Sequence, residues 1–348
     1  MSRAPAGRGA TAIVVGGGLA GAAVAASLAR RGSVVQVLDA AERPASGASG
    51  LPAGLVAPHV SRDDNLLSRL SRVGVRLTLE QARALLAPGD WAPSGVCERR
   101  AEGSRLHAEA GWIRPGALVR AWVAQPGIEW RGNTHVAALQ AGGEGWQLLD
   151  ARGQVLAQAP CVVIAAAMSS ETLLAGRLPL NPVRGQVSWG LHTPGLDLPG
   201  QPLNGNGHFL PQVPWEGRQI WLTGSTYGRG ETDLAVRAAD HGANLERLWQ
   251  LAPEFARQLA PAFAAGQVQG WTGVRCTSRD RRPLVGELSP GLWVSTAMGS
   301  RGLTFAALCG ELIAARLHGE ALPLDAKLAQ GLDVVRQIGL EPASAQRG

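Results

Sequence analysis

One stretch near the start constrains this chain more than any other. Thr11–Val15 reads as a short buried strand, Gly16-Gly17-Gly18-Leu19-Ala20-Gly21 follows, and an alanine-rich helix runs from Leu19 to Arg31. Gly32 stops that helix, and Ser33–Leu38 makes a second buried strand ending in Asp39. A strand, helix and strand within about thirty residues form a βαβ unit, whose parallel strands need helices over the sheet. In the G-x-G-x-x-G turn, Gly16 allows the tight bend, Gly18 lets a pyrophosphate approach the backbone, and Gly21 lets helix and strand pack closely. The helix N-terminus offers free N–H donors to phosphate. Asp39 stands where a carboxylate accepts ribose hydroxyls. Strand, glycines, helix, strand and terminal acid together point to dinucleotide binding rather than to an ordinary glycine-rich turn.

The remainder of the chain reads as follows. Ser46–Pro58 is too rich in Gly, Ala and Pro for regular structure and is expected to be a long functional loop. Helices are expected over Leu66–Leu86, Leu245–Leu259 and Leu303–Leu317, the last ended by Gly319 and Pro323. Strand-like runs are Val155–Leu156, Cys161–Ala166, Gln186–Trp189, Gln219–Thr223 and Trp293–Thr296. The last of these leads into a glycine turn and a helix, repeating the unit that opens the chain. One nucleotide domain built from distant segments, with a strand-rich domain inserted, is the expected organisation.

At 348 residues, with a 45% hydrophobic and 17% charged composition, the chain has the makings of a large globular core. The four cysteines are widely spaced and form no CxxC, which argues against a disulfide framework or a zinc site, and no metal site is expected. Reduced thiols and a cytoplasmic location are the expectation. Thr11–Ala29 is uncharged, but its glycines and alanines make it too weakly apolar for a membrane span or a leader. The net charge of +6 rests almost wholly on arginine, Lys327 being the only lysine. That reflects either an arginine-rich background or an acidic partner, since guanidinium forks grip phosphate and carboxylate. Arg62, Arg69, Arg72 and Arg76 recur at helical spacing and form either a phosphate-binding stripe or a solvated face.

The glycine fingerprint serves NAD and FAD alike. The loop Gly47-Ala48-Ser49-Gly50 with Gly54-Leu55 resembles the loop that approaches the flavin in the D-amino-acid oxidase/glycine oxidase superfamily. Gly299-Ser300-Arg301-Gly302-Leu303-Thr304 is similar to that superfamily's last glycine turn. There a helix N-terminus faces the pyrimidine edge of the flavin and stabilises charge that builds on reduction. Cys161–Ala167 resembles the strand near the adenine, with alanine in place of a glycine in its turn; Val136 and Ala166 are assigned to the cofactor on this basis. The resemblance implies an α/β (α+β overall) fold: a Rossmann-like FAD-binding domain with an inserted, mostly antiparallel β substrate domain. Residues 10–85, 130–180 and 270–330 are expected to form the FAD domain, 86–129 and 181–269 the substrate domain, and 331–348 a C-terminal tail.

Residues 50–74, 273–286 and 296–326 carry a closer resemblance, to the FAD half of the bifunctional tRNA 5-methylaminomethyl-2-thiouridine biosynthesis family. Leu51 departs from it, standing where asparagine is expected. The chain shows no methyltransferase half, so a free-standing oxidoreductase is the expectation. The resemblance implies non-covalent FAD and oxidation of a secondary amine bearing a carboxymethyl arm, converting 5-carboxymethylaminomethyl(-2-thio)uridine at the tRNA wobble position to its aminomethyl form. A hydride passes from the carbon beside the nitrogen to the flavin, and the imine hydrolyses. Arg275 matches the arginine that clamps the substrate carboxylate, and Arg301 a second basic position at the active face. Either could instead serve in a structural ion pair. Tyr227, the only tyrosine, is a hydrogen-bond donor to substrate or a core residue. Cys276 does not coincide with the covalent flavin attachment of sarcosine oxidases. His59 and His208 read as structural, and Trp112, Trp122 and Trp130 as core rather than base-stacking residues. Two other functions compete: a flavin oxidase of a small free amino acid (glycine, sarcosine or a D-amino acid), and an FAD-binding subunit that presents tRNA to a separate methyltransferase.

Overall fold

In a computed structural model of the chain, residues 11–143 and 145–338 are described. The opening unit forms as its sequence dictates: β1 (Ala12–Val15), α1 (Leu19–Ala29) and β2 (Val35–Leu38). Both strands are apolar and short, and β1 pairs in parallel with β2 on one side and with Cys161–Ile164 on the other. A strand buried on both faces and paired on both edges has no tolerance for charge, and β1 carries none. The full sheet runs Leu284–Ser289, Leu292–Thr296, Cys161–Ile164, β1, β2, Ile128–Arg131, with only its first strand antiparallel to its neighbour.

The other helices are divided between this sheet and a second, antiparallel one. α2 spans Leu66–Leu85, α3 Pro115–Val123, α4 Ser169–Leu173, α5 Ala238–Leu251, α6 Pro253–Ala264 and α7 Gly302–His318. A Cβ on Gly310 of α7 would lie 2.6 Å from the carbonyl oxygen of Ala23 in α1, and one on Gly74 of α2 would lie 2.1 Å from that of Thr304 in α7. Glycine at these two positions is what lets the three helices touch backbone to backbone. Thr78 donates to the carbonyl of Leu303 at 2.8 Å and fastens α2 to α7. Glu311 of α7 accepts from Ser27, Arg30 and Arg31 and ties α7 to α1.

The second large sheet is antiparallel around the long strand Asn181–Leu191, which pairs residue for residue with Gln269–Thr277. α5 and α6 cover one face through Leu203, Phe209, Trp221, Leu248 and Leu259. The other face buries Val187, Leu210, Ile220 and Leu222 with Trp112, and Trp189, Trp215 and Trp271 pack against them. The fold is thus the expected one: a parallel nucleotide sheet with a mostly antiparallel sheet inserted.

Two local differences have clear causes. The single helix expected over Leu245–Leu259 is two, because Pro253 lacks an N–H and drives Ala252 to an extended φ of −157°. Ser46–Pro58 is not wholly irregular: Ala48–Gly50 make a 3-10 turn and Gly54–Val56 (β3) pairs with Gly111–Ile113, a partner invisible to local pattern. Around the expected domain division, α3 packs on α1, while Gln269–Thr277 hydrogen-bonds into the antiparallel sheet. Residues 331–338 of the expected tail pack against the parallel sheet, with Val334 buried and Arg336 bridging to Asp280; 339–348 lie outside the described residues. Among the described residues no helix is long and apolar enough to cross a membrane, and no cluster of three metal-ligating side chains occurs.

Gly74→Ala should push α2 off α7, since the obstructing atom is backbone rather than a flexible side chain. We expect a loss of about 1–3 kcal/mol of stability, read as a lower thermal midpoint, from one added methyl group.

Candidate functional site

The first glycine turn is compact to the limit of contact. Gly16 holds φ +109°, and a Cβ on Gly21 would lie 1.9 Å from the Gly16 carbonyl oxygen, so no other residue fits there. Asp39, at the end of β2, accepts from the Gly17 N–H at 2.5 Å and from the Ala41 N–H at 2.7 Å. Each carboxylate oxygen keeps further acceptor capacity for a hydroxyl. Ala20 follows Leu19 into the first turn of α1. Ala166 lies beside the turn, since a Cβ on Gly16 would come within 3.0 Å of its Cα. Val136 is buried with Val15 and Leu38 behind it. The alanine that replaces an expected glycine shows its cost at Ala167, whose φ of +50° is one that glycine adopts more readily.

The predicted loop residues close over this turn. The Ser49 hydroxyl accepts from the Leu19 N–H at 2.9 Å, occupying one of the free donors at the start of α1. Ala48 and Gly50 belong to the same 3-10 turn. Gly54 abuts the Leu303 side chain, 2.9 Å from where its Cβ would be, and Leu51 lies against it at 3.3 Å. Leu55 packs toward the tryptophan-lined face of the antiparallel sheet.

The second glycine turn arrives at the same place. Gly299–Arg301 form a 3-10 turn with Gly299 at φ +56°, and α7 begins at Gly302, followed by buried Leu303 and Thr304. A Cβ on Gly302 would sit 3.2 Å from the Leu19 side chain, so the N-termini of α1 and α7 are neighbours. Met298, just before the turn, bridges to Thr277 at the end of the strand that carries Arg275. The cradle fits an FAD: two adjacent helix N-termini, glycines wherever a side chain would collide, and a carboxylate at the strand end.

Arg275 projects from Gln269–Thr277 across Gly185, where a Cβ would lie 2.1 Å from its Nη1. Its guanidinium donates to Ser225 Oγ at 2.5 Å and to the carbonyl of Thr226 at 3.2 Å, and it lies 4.8 Å from the Tyr227 ring centroid. Every one of these partners is neutral, and among the described residues no carboxylate meets it. Burial pulls its proton affinity down, with Tyr227 acting in the opposite sense. Arg301 is also half-buried with no acidic partner among the described residues, and burial lowers its proton affinity too, with Tyr227 opposing and Arg281 adding to the fall. Tyr227 is 52% exposed, so it is a surface ring at this mouth rather than a core residue.

The other candidates divide. Arg62, Arg69, Arg72 and Arg76 pair with Glu102, Asp325, Asp64 and Glu80 respectively, so the stripe is a neutralised, solvated face. Trp112 and Trp122 are core, whereas the Trp130 ring lies over Gly17, 2.3 Å from where its Cβ would be. Cys276 is buried beside Thr296, and burial pushes its thiol up to about 11. His59 is not remote: burial and then Arg301 push its proton affinity down. His208, whose Nε2 is buried without a partner, is pushed down to about 4 by burial and by Arg275. Sequence reading passed over Ser225, Thr226 and Gly185, which shape the Arg275 pocket. No motif marks them, because their roles come from pairing between strands about 40 to 90 residues apart.

The chain belongs to the FAD dependent oxidoreductase (DAO) family, whose model matches residues 11–98 and 80–316. It is an FAD-dependent oxidoreductase of that family. Among curated relatives it is 48% identical to the tRNA 5-methylaminomethyl-2-thiouridine biosynthesis bifunctional protein MnmC of Verminephrobacter eiseniae, over 92% of this chain and 63% of that protein. It is 36% identical to the protein of that name from Ralstonia nicotianae, over 92% of this chain and 59% of that protein. The chain thus spans about three fifths of the length of these relatives. In fold it is similar to glycine oxidase from Geobacillus kaustophilus (TM-score 0.75, 21% identity, 96% of this chain and 100% of that one). Iminodiacetate oxidase from Chelativorans sp. BNC1 is a further structural neighbour (TM-score 0.70, 20% identity, 90% of this chain and 96% of that one).

His208, its Nε2 buried without a partner, carries a pH signature. Its folded value of about 4 lies below the ordinary 6.5, so below pH 6.5 the unfolded chain takes up a proton that the fold refuses. Stability should be intact above pH 6.5 and fall between 6.5 and 4, by at most about 3 kcal/mol. In His208→Gln, denaturant melts across that window should lose this slope; an unchanged slope would assign it to another group.

Proposed function

We propose that this chain oxidises the C–N bond of a carboxymethylamino group, converting 5-carboxymethylaminomethyl(-2-thio)uridine of tRNA to 5-aminomethyl(-2-thio)uridine. The observation that carries the reading is Arg275, a half-buried guanidinium with only neutral partners, set on the strand whose end bridges to Met298 just before the second glycine turn. A charge desolvated without a counter-ion is costly, and a substrate carboxylate arriving in a bidentate pose supplies that counter-ion. The similarity to MnmC proteins over nine tenths of the chain supports tRNA as the bearer of that group.

Bound FAD supplies the two-electron oxidant. The residues of the chain do the rest. Gly16, Gly18, Leu19, Ala20, Gly21 and Asp39 would hold the pyrophosphate and ribose, and Val136 and Ala166 would border the adenine. Ala48, Ser49, Gly50, Gly54 and Leu55 would line the approach to the ring system, with the turn Gly299-Ser300-Arg301-Gly302-Leu303-Thr304 at its pyrimidine edge. Arg275 holds the carboxylate, Arg301 adds positive potential, and Tyr227 offers a hydroxyl at the mouth. So oriented, the carbon between nitrogen and carboxylate gives up a hydride as the nitrogen loses its proton. Water then adds to the imine, releasing the aminomethyl uridine and a two-carbon aldehyde acid. Orientation and exclusion of side reactions suffice because the oxidant is the cofactor. Non-covalent binding is part of the proposal, and the burial of Cys276 against Thr296 supports it.

The competing reading, oxidation of a small free amino acid, would need the same clamp but no tolerance for a large substituent on the amine. Arg275→Ala should keep FAD, judged by the flavin spectrum, and lose roughly one to two powers of ten in kcat/KM for the modified tRNA. Unchanged kinetics would remove Arg275 from the carboxylate.

A further inference from the structure

A second arginine faces the Tyr227 ring, and nothing in the carboxylate clamp accounts for it. Arg247 lies on α5 with its guanidinium carbon 5.8 Å from the ring centroid that Arg275 approaches at 4.8 Å. Its Nε is buried without a hydrogen-bond partner, and its Nη1 reaches Asn206 Oδ1 only at 3.5 Å. No carboxylate pairs with it among the described residues. The acids nearest Tyr227 in sequence, Glu231 and Asp233, are both held by Arg237. Two cations against one half-exposed ring, with no counter-ion, repel each other and pay for desolvation. Arg62, Arg69, Arg72 and Arg76, by contrast, each find an acid.

The position of Arg247 is built rather than incidental. Asn244, one turn earlier on α5, is fully buried and donates to the carbonyl of Gln186 and to Ser188 Oγ, both at 3.0 Å. His241 shares a 2.7 Å hydrogen bond with the same Ser188. Arg184 is also fully buried and holds the preceding loop through Asp240 and the carbonyls of Asp233 and Ala235. α5 is thus locked to the strand opposite Arg275, and the stem of Arg247 lies over Gly207 on its way to Tyr227.

We propose that Arg247, against the Tyr227 ring, is a phosphate subsite that binds the RNA backbone next to the nucleotide whose base is oxidised. This rests on the tRNA reading above. The carboxylate and the phosphate are two anions on one substrate, and Arg275 and Arg247 are two unpaired cations flanking one ring. Arg247 makes no contact with the reacting atoms; it decides that the amine arrives attached to a polynucleotide.

The test compares two substrates with the FAD-loaded full chain under anaerobic conditions. One is an anticodon stem-loop carrying 5-carboxymethylaminomethyl uridine, the other the same modified nucleoside without phosphates. In Arg247→Gln, flavin reduction by the stem-loop should need roughly tenfold or more higher concentration, the loss of one charge-assisted contact. The slope of log affinity on log salt should fall by about 0.7, one single-strand phosphate fewer. Reduction by the nucleoside should not change, which shows that the variant is folded and loaded. Arg247→Lys should keep the salt slope. An unaltered salt slope in Arg247→Gln, or an equal loss for nucleoside and stem-loop, would overturn the subsite. If the wild-type protein oxidises neither substrate, the tRNA reading itself falls and the subsite with it.

Discussion

The site depends on one constraint, the contact of backbone with backbone where the helices of the parallel sheet meet. Gly21 lies against the Gly16 carbonyl, Gly310 against Ala23, and Gly74 against Thr304, each at a distance that a single methyl group would spoil. Because α1 and α7 press together along their length, their N-termini open side by side, with Gly302 against Leu19. The first turn can then take a pyrophosphate and the second the far end of the same cofactor. Segments nearly three hundred residues apart become one cradle through sheet order: Cys161–Ile164 lies between β1 and Leu292–Thr296.

The antiparallel sheet contributes something different, a reserve of unneutralised positive charge. Carboxylates hold many arginines elsewhere in the chain, from Arg69, Arg72 and Arg76 of α2 to the Arg30–Arg31–Glu311 cluster linking α1 and α7. Around Tyr227, Arg275, Arg301 and Arg247 meet no carboxylate among the described residues. An arrangement that is unfavourable in the free protein becomes favourable when an anion enters, because desolvated charges interact strongly. In the proposed function, selection of an anionic substrate would follow from what the site leaves unpaired, and the redox chemistry would need nothing more from the side chains than alignment.

The nucleotide half was legible in the sequence because its signals are local. Strand, glycine turn, helix and acid fall within thirty residues, and each demands its residue type for a steric reason. The final turn and helix were legible for the same cause. What could not be read depends on partners distant in sequence. β3 hides in a glycine-rich loop because its partner is Gly111–Ile113. Arg62 and Arg69 suggested a phosphate stripe because their acids, Glu102 and Asp325, come from other segments, whereas Asp64 and Glu80, which hold Arg72 and Arg76, are near in sequence. Tyr227 could not be assigned to core or mouth until its neighbours were in place. The proline that splits α5 from α6 was visible, and its consequence for the helix was overlooked rather than hidden.

In the proposed function, the unpaired Arg275 beside the flavin cradle awaits a carboxymethylamino group carried on tRNA. Nucleoside mass spectrometry after anaerobic mixing of the FAD-loaded protein with 5-carboxymethylaminomethyl-modified tRNA tests it most directly. The account predicts one 5-aminomethyl uridine formed for each flavin bleached, with glycine and sarcosine leaving the flavin oxidised. Rapid bleaching by free glycine, with the modified nucleoside recovered intact from the tRNA, would contradict it.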